Sequence, residues 1–161
     1  MDTLKDFLIY VFEYYPSPLE LSKARLVKML YLADWKSALD RERQLTGIDW
    51  FFNHYGPYVD DVMELIKSDS RNFRVELRQG SYGGMREVIS LTSRHEAPEV
   101  SGPARRILDF IIRTASHLAW DDFIQLVYST YPIQTSTRYS YLDLVGLARE
   151  YREAGRYSAV A

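Results

Sequence analysis

Leu21-Ser22-Lys23-Ala24-Arg25-Leu26-Val27-Lys28-Met29-Leu30-Tyr31-Leu32-Ala33-Asp34-Trp35 decides how this chain folds. Wound into a helix, Leu26, Val27, Met29, Leu30, Tyr31, Leu32, Ala33 and Trp35 leave only a thin polar stripe near Lys28. A helix that is apolar nearly all round has no face to leave in water, so it belongs at the centre of a domain. The second informative stretch is Trp50-Phe51-Phe52-Asn53-His54-Tyr55-Gly56-Pro57-Tyr58-Val59. Gly56-Pro57 breaks the chain there. Pro57 is expected at the first turn of a new helix, where its missing N–H costs nothing. Neither stretch carries catalytic chemistry by itself.

Working outward, Leu4, Phe7, Leu8 and Val11 recur at helical spacing, which predicts a helix over 2–14 capped by Asp2 or Thr3. Pro16-Ser17-Pro18 ends it. Ser17 or Ser22 then starts the central helix, which is expected to reach about Leu39. Leu45 to Phe52 reads as a short extended stretch and Pro57 to Lys67 as a third helix. Phe73, Val75 and Leu77 alternate as on a strand with one buried face. Met85 to Leu91 returns as its partner across the glycine-rich loop Gln79 to Gly84. Thr92 to Pro98 is a polar connector, but each flank alone is too small for a good core, so the whole chain, 1–161, is read as one domain. A fourth helix opens at Ser101-Gly102-Pro103, a fifth spans 119–130, and a sixth runs 141–153 from a start near Ser140 and Asp143 to a stop at Gly155. The expected fold is therefore mainly α with a small antiparallel β-hairpin (α+β): a compact domain of about six helices around a buried central one.

Chemistry-bearing clusters are few. Alternation puts Trp50 and Phe52 on one side and Phe51 on the other, and these three read as core. Tyr55 and Tyr58 flank a turn and carry hydroxyls that favour a wet or polar contact, so they are candidates for a partner surface. His54, His95 and His117 stand outside any ligand spacing, and the paired acids Asp60-Asp61 and Asp121-Asp122 sit near helix starts, where the helix dipole accounts for them. No serine lies in a Gly-x-Ser-x-Gly elbow. The loop Ser81-Tyr82-Gly83-Gly84 leads into a strand and lacks the Gly-Lys-Ser/Thr that cradles phosphate. Arg71, Arg74, Arg78 and Arg86 outnumber Glu76 and Glu87 along the hairpin. Three helices followed by a hairpin is also the order of a winged-helix DNA reader, the alternative function considered. In that reading the helix at 57–67 would enter the groove, yet it carries Asp60, Asp61 and Glu64 against Lys67 alone. These charges disfavour nucleic acid as a partner, and a small hydrolase ranks below it.

The two opening stretches together resemble the Panacea domain, the SocA-like antitoxin domain. Its recurring signature is a "K-L-x-Y-L-A" type helix followed by an aromatic-rich "G-P-x-V" turn. Leu26, Lys28, Leu30, Tyr31, Ala33 and Trp35 fit the helix, with Met29 where leucine is common. Leu45-Thr46-Gly47 fits the stretch between, and Gly56, Pro57 and Val59 fit the turn. The segment from Leu126 to Pro132 is similar to the family's late helix, with Ile133 standing where an aromatic residue often follows. The resemblance spans about 4–151 and implies an antitoxin, not an enzyme. Such a protein neutralises a cognate protein toxin encoded beside it by masking, with no cofactor. Tyr55, Tyr58, Arg78, Tyr82 and Arg86 are the residues expected at that partner surface, because interfaces favour tyrosine and arginine as anchors.

Composition agrees. In 161 residues, 47% are hydrophobic and 26% charged, which is ordinary for a globular chain. A net charge of −2 makes no global case for binding nucleic acid or an anionic membrane. There is no cysteine, so disulfides and thiolate metal sites are excluded, and the reducing cytoplasm is the expected compartment. Neither a signal-peptide start nor a membrane-spanning apolar run is expected. A chelator should leave the melting transition and any binding activity unchanged. Stoichiometric zinc lost together with that activity would contradict the metal-free reading.

Overall fold

A computed structural model describes residues 1–80 and 82–157. Ser81, within the glycine loop, lies outside the described residues. The central helix α2 spans Lys23–Arg41, with Ser22 as its N-cap: the Ser22 hydroxyl accepts from the Arg25 N–H at 3.2 Å. Every residue from Leu26 to Trp35 is buried, Lys28 and Asp34 included. Around α2 pack α4 (Gly102–Ser116), α7 (Leu144–Glu153) and the short strand β2 (Gly56–Tyr58). The helix is longer than its apolar run. Its last carbonyls are satisfied from α7, where Arg152 Nη1 donates to the Ala38 and Leu39 carbonyls at 3.1 and 2.5 Å and Nη2 meets the Glu42 carboxylate at 3.0 Å. A cation at a helix C-terminus both fills orphan acceptors and matches the dipole. Other bonds tie α2 to its neighbours. Tyr31 shares a 2.8 Å hydroxyl bond with Thr130, and Arg25 donates to the Ala115 carbonyl at 2.8 Å while its guanidinium lies 4.7 Å from the Phe123 ring centre.

Asp34 organises the chain that leaves α2. It is fully buried. Its Oδ1 accepts the backbone N–H groups of Leu45 and Thr46 at 2.8 and 2.9 Å, and its Oδ2 accepts the Thr46 hydroxyl at 2.5 Å and the Trp50 indole N–H at 2.8 Å. The connection between Arg41 and Phe51 is thereby bent back onto the helix. The extended stretch expected from Leu45 shrinks to β1, Phe51–Asn53. Trp50 is drawn into the core edge-on to Tyr31, with ring centres 5.7 Å apart.

The helix expected to begin at Pro57 begins later, as α3, Asp61–Ser68. Pro57 instead lies in β2, opposite Phe52, in a tight antiparallel pair with β1 that turns at His54-Tyr55. Its missing N–H does no harm. The N–H of Phe52 goes to the Ser140 carbonyl at 2.9 Å, on the other edge of β1, and the Phe52 carbonyl accepts from Tyr139. Gly56 holds φ +101°, a left-handed conformation that suits glycine.

The second hairpin is as expected and longer. Its strands β3 (Phe73–Gln79) and β4 (Met85–Leu91) pair from Phe73↔Leu91 to Gln79↔Met85. Helix α1 spans Leu4–Tyr14, and Thr3, not Asp2, caps it in a reciprocal box with Asp6. The single helix expected over 119–130 stops early as α5, Trp120–Tyr128, and an additional helix α6 occupies Tyr131–Thr135. Two features cut the chain there. The Ser129 and Thr130 hydroxyls bond back to the Leu126 and Val127 carbonyls, each at 2.7 Å. Pro132 cannot continue a helix through its own position and is tolerated only in the first turn of the next. The last helix starts at Leu144 and not at Tyr141. Asp143 caps it through the Gly146 N–H at 3.0 Å, while Tyr141 pairs with Phe51 and the Ser140 hydroxyl serves the Thr137 carbonyl. The described residues thus form seven α-helices and two small antiparallel sheets around a central α2.

Two substitutions test this core. Leu30→Asp should unfold the protein, because an unpaired charge in the core costs several kcal/mol, comparable with a domain's whole stability of roughly 5–15 kcal/mol. A soluble variant with an unchanged cooperative melt would displace α2 from the centre. Asp34→Asn should cost on the order of 3 kcal/mol, since the amide turns N–H groups toward donors that keep no acceptor. Burial pushes the Asp34 carboxyl up to about 6, against the pull of its hydrogen bonds. Protonation of Asp34 therefore favours the folded state, a contribution complete below the unfolded value near 3.8 and lost as pH rises through about 6. The stability gap between wild type and Asp34→Asn should accordingly widen as pH falls from 7 to 5, measured by denaturant titration. A gap that narrows would contradict this assignment.

Candidate partner-binding surface

The turn between β1 and β2 carries Tyr55, which is 76% exposed and packs edge-on against His54 with ring centres 4.6 Å apart. His54 Nδ1 shares a 3.2 Å hydrogen bond with the Tyr139 hydroxyl. Tyr58, at the end of β2, is half-buried, and its ring lies 5.9 Å from the Lys28 ammonium. Both tyrosines line a groove of about 500 Å³, along with Lys23, Lys28, Trp120 and Tyr128. The groove lies where the first turn of α2, the β1–β2 hairpin and α5 meet. Its walls are aromatic and its charged side chains are lysines.

The three hairpin candidates stand elsewhere. Tyr82 is fully exposed in the loop between β3 and β4. Arg78 and Arg74 both pair with the Glu76 carboxylate, at 3.3 and 3.6 Å. Arg86 donates to the Leu19 carbonyl at 3.1 Å, and Arg71 meets Glu96 at 3.2 Å. The basic bias of the hairpin is thus partly offset within the fold. Leu77 and Met85, also exposed, extend the apolar content of the hairpin past its buried half. Arg78, Tyr82 and Arg86 do not line the groove. A link between the two regions runs through Glu87 of β4, which pairs with the groove residue Lys23 at 3.6 Å and with Lys67 at 2.9 Å.

A second groove, of about 540 Å³, shares Asn53 and Tyr58 with the first and is acidic, with Asp49, Asp60, Asp61 and Glu64 along it. Two neighbouring grooves of opposite charge therefore share one wall. Trp120 and Tyr128 were not visible as site residues in the sequence, because nothing local says that α5 meets the Gly56 turn. In the fold, a Cβ on Gly56 would touch the Tyr128 ring at 3.5 Å. Lys28 did leave a signal: a lysine set within the apolar run of a buried helix.

Other titratable clusters are structural. His95 bridges the Glu13 carboxylate at 3.0 Å and the Thr92 carbonyl at 2.7 Å. Tyr10 donates to Asp109 at 2.6 Å, and burial with that bond raises its phenol well above the usual value. Among the described residues no group of three or more His, Asp or Glu is placed to hold a metal ion, and no helix is long and apolar enough to cross a membrane.

Comparison with known families matches residues 26–132 to the Antitoxin SocA-like, Panacea domain family. That is well over half of the chain, and the protein belongs to this family. The match takes in α2, both hairpins and α4 to the start of α6; α1 and α7, which the sequence resemblance also covered, lie outside it. Comparisons with curated proteins and with solved structures gave no match.

The groove makes a mechanical prediction. Gly56→Ala should destabilise the fold by about 1 kcal/mol or more, because it puts a Cβ on a left-handed residue already against Tyr128. Chemical denaturation measures it, and an unchanged midpoint would contradict the β1–β2 turn.

Proposed function

We propose that this protein is an antitoxin that binds and neutralises a toxin encoded beside it through a protein–protein interface. The observation that carries the reading is membership of the SocA-like Panacea family. The mechanism is stoichiometric masking. The antitoxin covers a surface the toxin needs, and affinity comes from a few anchors within an interface of roughly 1,200–2,000 Å². Exposed Tyr55, Tyr82, Leu77 and Met85 are side chains of the kind that serve as such anchors.

The proposed interface includes Tyr55 and Tyr58 at the turn and Arg78, Tyr82 and Arg86 on the hairpin. The tyrosines bring large area at small entropy cost. The arginines bring planar donors, and both gain strength when a partner excludes water from them. The alternative, a winged-helix regulator reading DNA, is disfavoured by the acidic groove along α3: Asp60, Asp61 and Glu64 would face phosphates.

Co-expression with the neighbouring reading frame tests the function: the toxin alone should arrest growth, and the pair should grow and co-purify as a complex. Alanine at Tyr58 or Arg78 should weaken neutralisation by roughly 1–3 kcal/mol while leaving the melting curve nearly unchanged. The control is Ile111→Ala in the buried face of α4, which should lower stability first and binding only through it. If the combined alanine variant of Tyr55, Tyr58, Arg78, Tyr82 and Arg86 still neutralises fully, the interface lies on another face.

A further inference from the structure

Among the described residues, Lys28 is the buried charge that the chain leaves without a partner. The side chain starts from the core face of α2, and the residue is only 3% exposed. Among the described residues, no carboxylate lies within ion-pair distance of its ammonium and no acceptor within hydrogen-bond distance. The other buried charged side chains are different: Asp34 has its four close donors, and Asp6 has Thr3 and Glu99. A buried, unpaired ammonium is costly, and folds retain such groups rarely. Burial pushes the Lys28 ammonium below the ordinary lysine value.

The ammonium is not sealed in. Ser37 Oγ is the fully enclosed side-chain polar atom without a partner among the described residues, so Lys28 Nζ, equally unpartnered, keeps access to the groove it lines. The Tyr58 ring centre lies 5.9 Å away, and its face offers a weak cation–π contact. Lys23, the other lysine of the groove, already shares the Glu87 carboxylate with Lys67. The first turn of α2, with Lys23 and Ala24 on the groove wall, adds the positive end of a 19-residue helix. Only the Arg25 amide of that turn is taken by the Ser22 cap.

The site therefore offers one unneutralised positive charge at the base of a trough walled by Tyr55, Trp120 and Tyr128. A single carboxylate matches it in charge. A polyanion does not, because Asp49, Asp60, Asp61 and Glu64 lie just beyond the shared wall of Tyr58 and Asn53. That shared wall also bears on the shape of the occupant. A segment that enters the first groove continues into the second, whereas a chain end would stop short and leave the acidic groove unused.

We propose that this groove receives an internal segment of the partner toxin. Its Asp or Glu side chain would pair with Lys28, and an apolar neighbour would lie between Tyr55 and Trp120. The proposal rests on the antitoxin reading for the identity of the partner, but not for the chemistry of the groove. Binding covers the trough and removes water from the ion pair, which strengthens it. The carboxylate completes a pair that the free protein lacks, so the binding site is also a site of stored instability.

Two measurements separate the possibilities. The first uses the full chain with its co-purified toxin. Lys28→Met keeps an unbranched side chain of similar length, and Lys28→Gln keeps a polar one. Both should weaken the complex about tenfold or more in calorimetry, while Lys28→Met melts at the same temperature as wild type or higher. Lys23→Met should have the smaller effect on binding. Unchanged affinity in both Lys28 variants overturns the proposal, and so does a parallel loss of affinity and melting temperature, which would make Lys28 a structural residue.

The second measurement uses the protein alone and end-capped hexapeptides: Leu-Glu-Phe at the centre, the same peptide with Gln for Glu, and an uncapped peptide ending in Leu-Phe. The Trp120 indole resonance should shift at millimolar concentrations of the Glu peptide, not with the Gln peptide, and not in Lys28→Met. A stronger response to the free chain end, or displacement by inorganic phosphate at lower concentration, overturns the choice of an internal acidic side chain. A wild-type protein that binds the Glu peptide yet fails to neutralise the neighbouring toxin keeps the groove and overturns the antitoxin reading instead.

Discussion

The fold depends on one carboxylate buried in one helix. Asp34 stands on the central helix, against which α4, α7 and β2 pack, and it gathers two backbone amides, a hydroxyl and an indole from the chain that leaves that helix. A buried carboxylate is tolerable only when its lone pairs are filled, and here both oxygens are. The arrangement has one adjustable member. Backbone and indole N–H groups can only donate, but the Thr46 hydroxyl can also accept, so it can turn toward a protonated Asp34. Through Trp50 the same carboxylate fixes β1 and hence the turn that presents Tyr55 and Tyr58. The geometry of the β1–β2 turn is thus set from the core and not by the turn itself.

Much of this was legible along the chain where the signal is periodic. The apolar sweep of α2 and the opposite facing of Phe51 and Phe52 are local patterns, and the fold keeps them, although Phe51, expected in the core, is only half-buried beside the acidic groove. The alternation of Phe73, Val75 and Leu77 does mark a strand, but its buried face runs out before Leu77, which is exposed. What was not legible depends on contacts distant in sequence. Pro57 has the local chemistry of a helix start, yet it lies in a strand because the Tyr139 N–H donates to the Phe52 carbonyl, the acceptor that a proline opposite cannot serve. The break between α5 and α6 needed two hydroxyls to turn back on their own helix. The role of Asp34 has no local sign in its apolar run, since its donors arrive from ten or more residues later.

The candidate site divides in the same way. Tyr55 and Tyr58 could be picked out because a glycine–proline turn rich in aromatics is unusual. The arginines of the hairpin could be counted but not weighed, because only the fold pairs Arg74 and Arg78 with Glu76 and Arg86 with the Leu19 carbonyl. Charge along a sequence is an inventory, and what a partner meets is the remainder after internal pairing. By that measure the hairpin is less basic than its composition, and the groove under Tyr58 more so.

The cap that Arg152 places on α2 has a consequence for how the chain is made. The helix at the centre is complete in sequence by Arg41, but its terminal carbonyls and the outer edge of β1 find their partners only when the segment from Tyr139 to Arg152 arrives. A growing chain therefore carries its core helix unfinished until the segment through Arg152 has been made, about a hundred residues after the helix itself. A fragment ending at the limit of the family match, at Pro132, would hold the two opening stretches and both grooves' principal walls yet lack the closing strap. Such a fragment would fray at the end of α2 and expose the underside of Trp35 and Leu39 to proteases. The fold thereby carries its own quality control: only a copy made through Arg152 shields the end of its core helix.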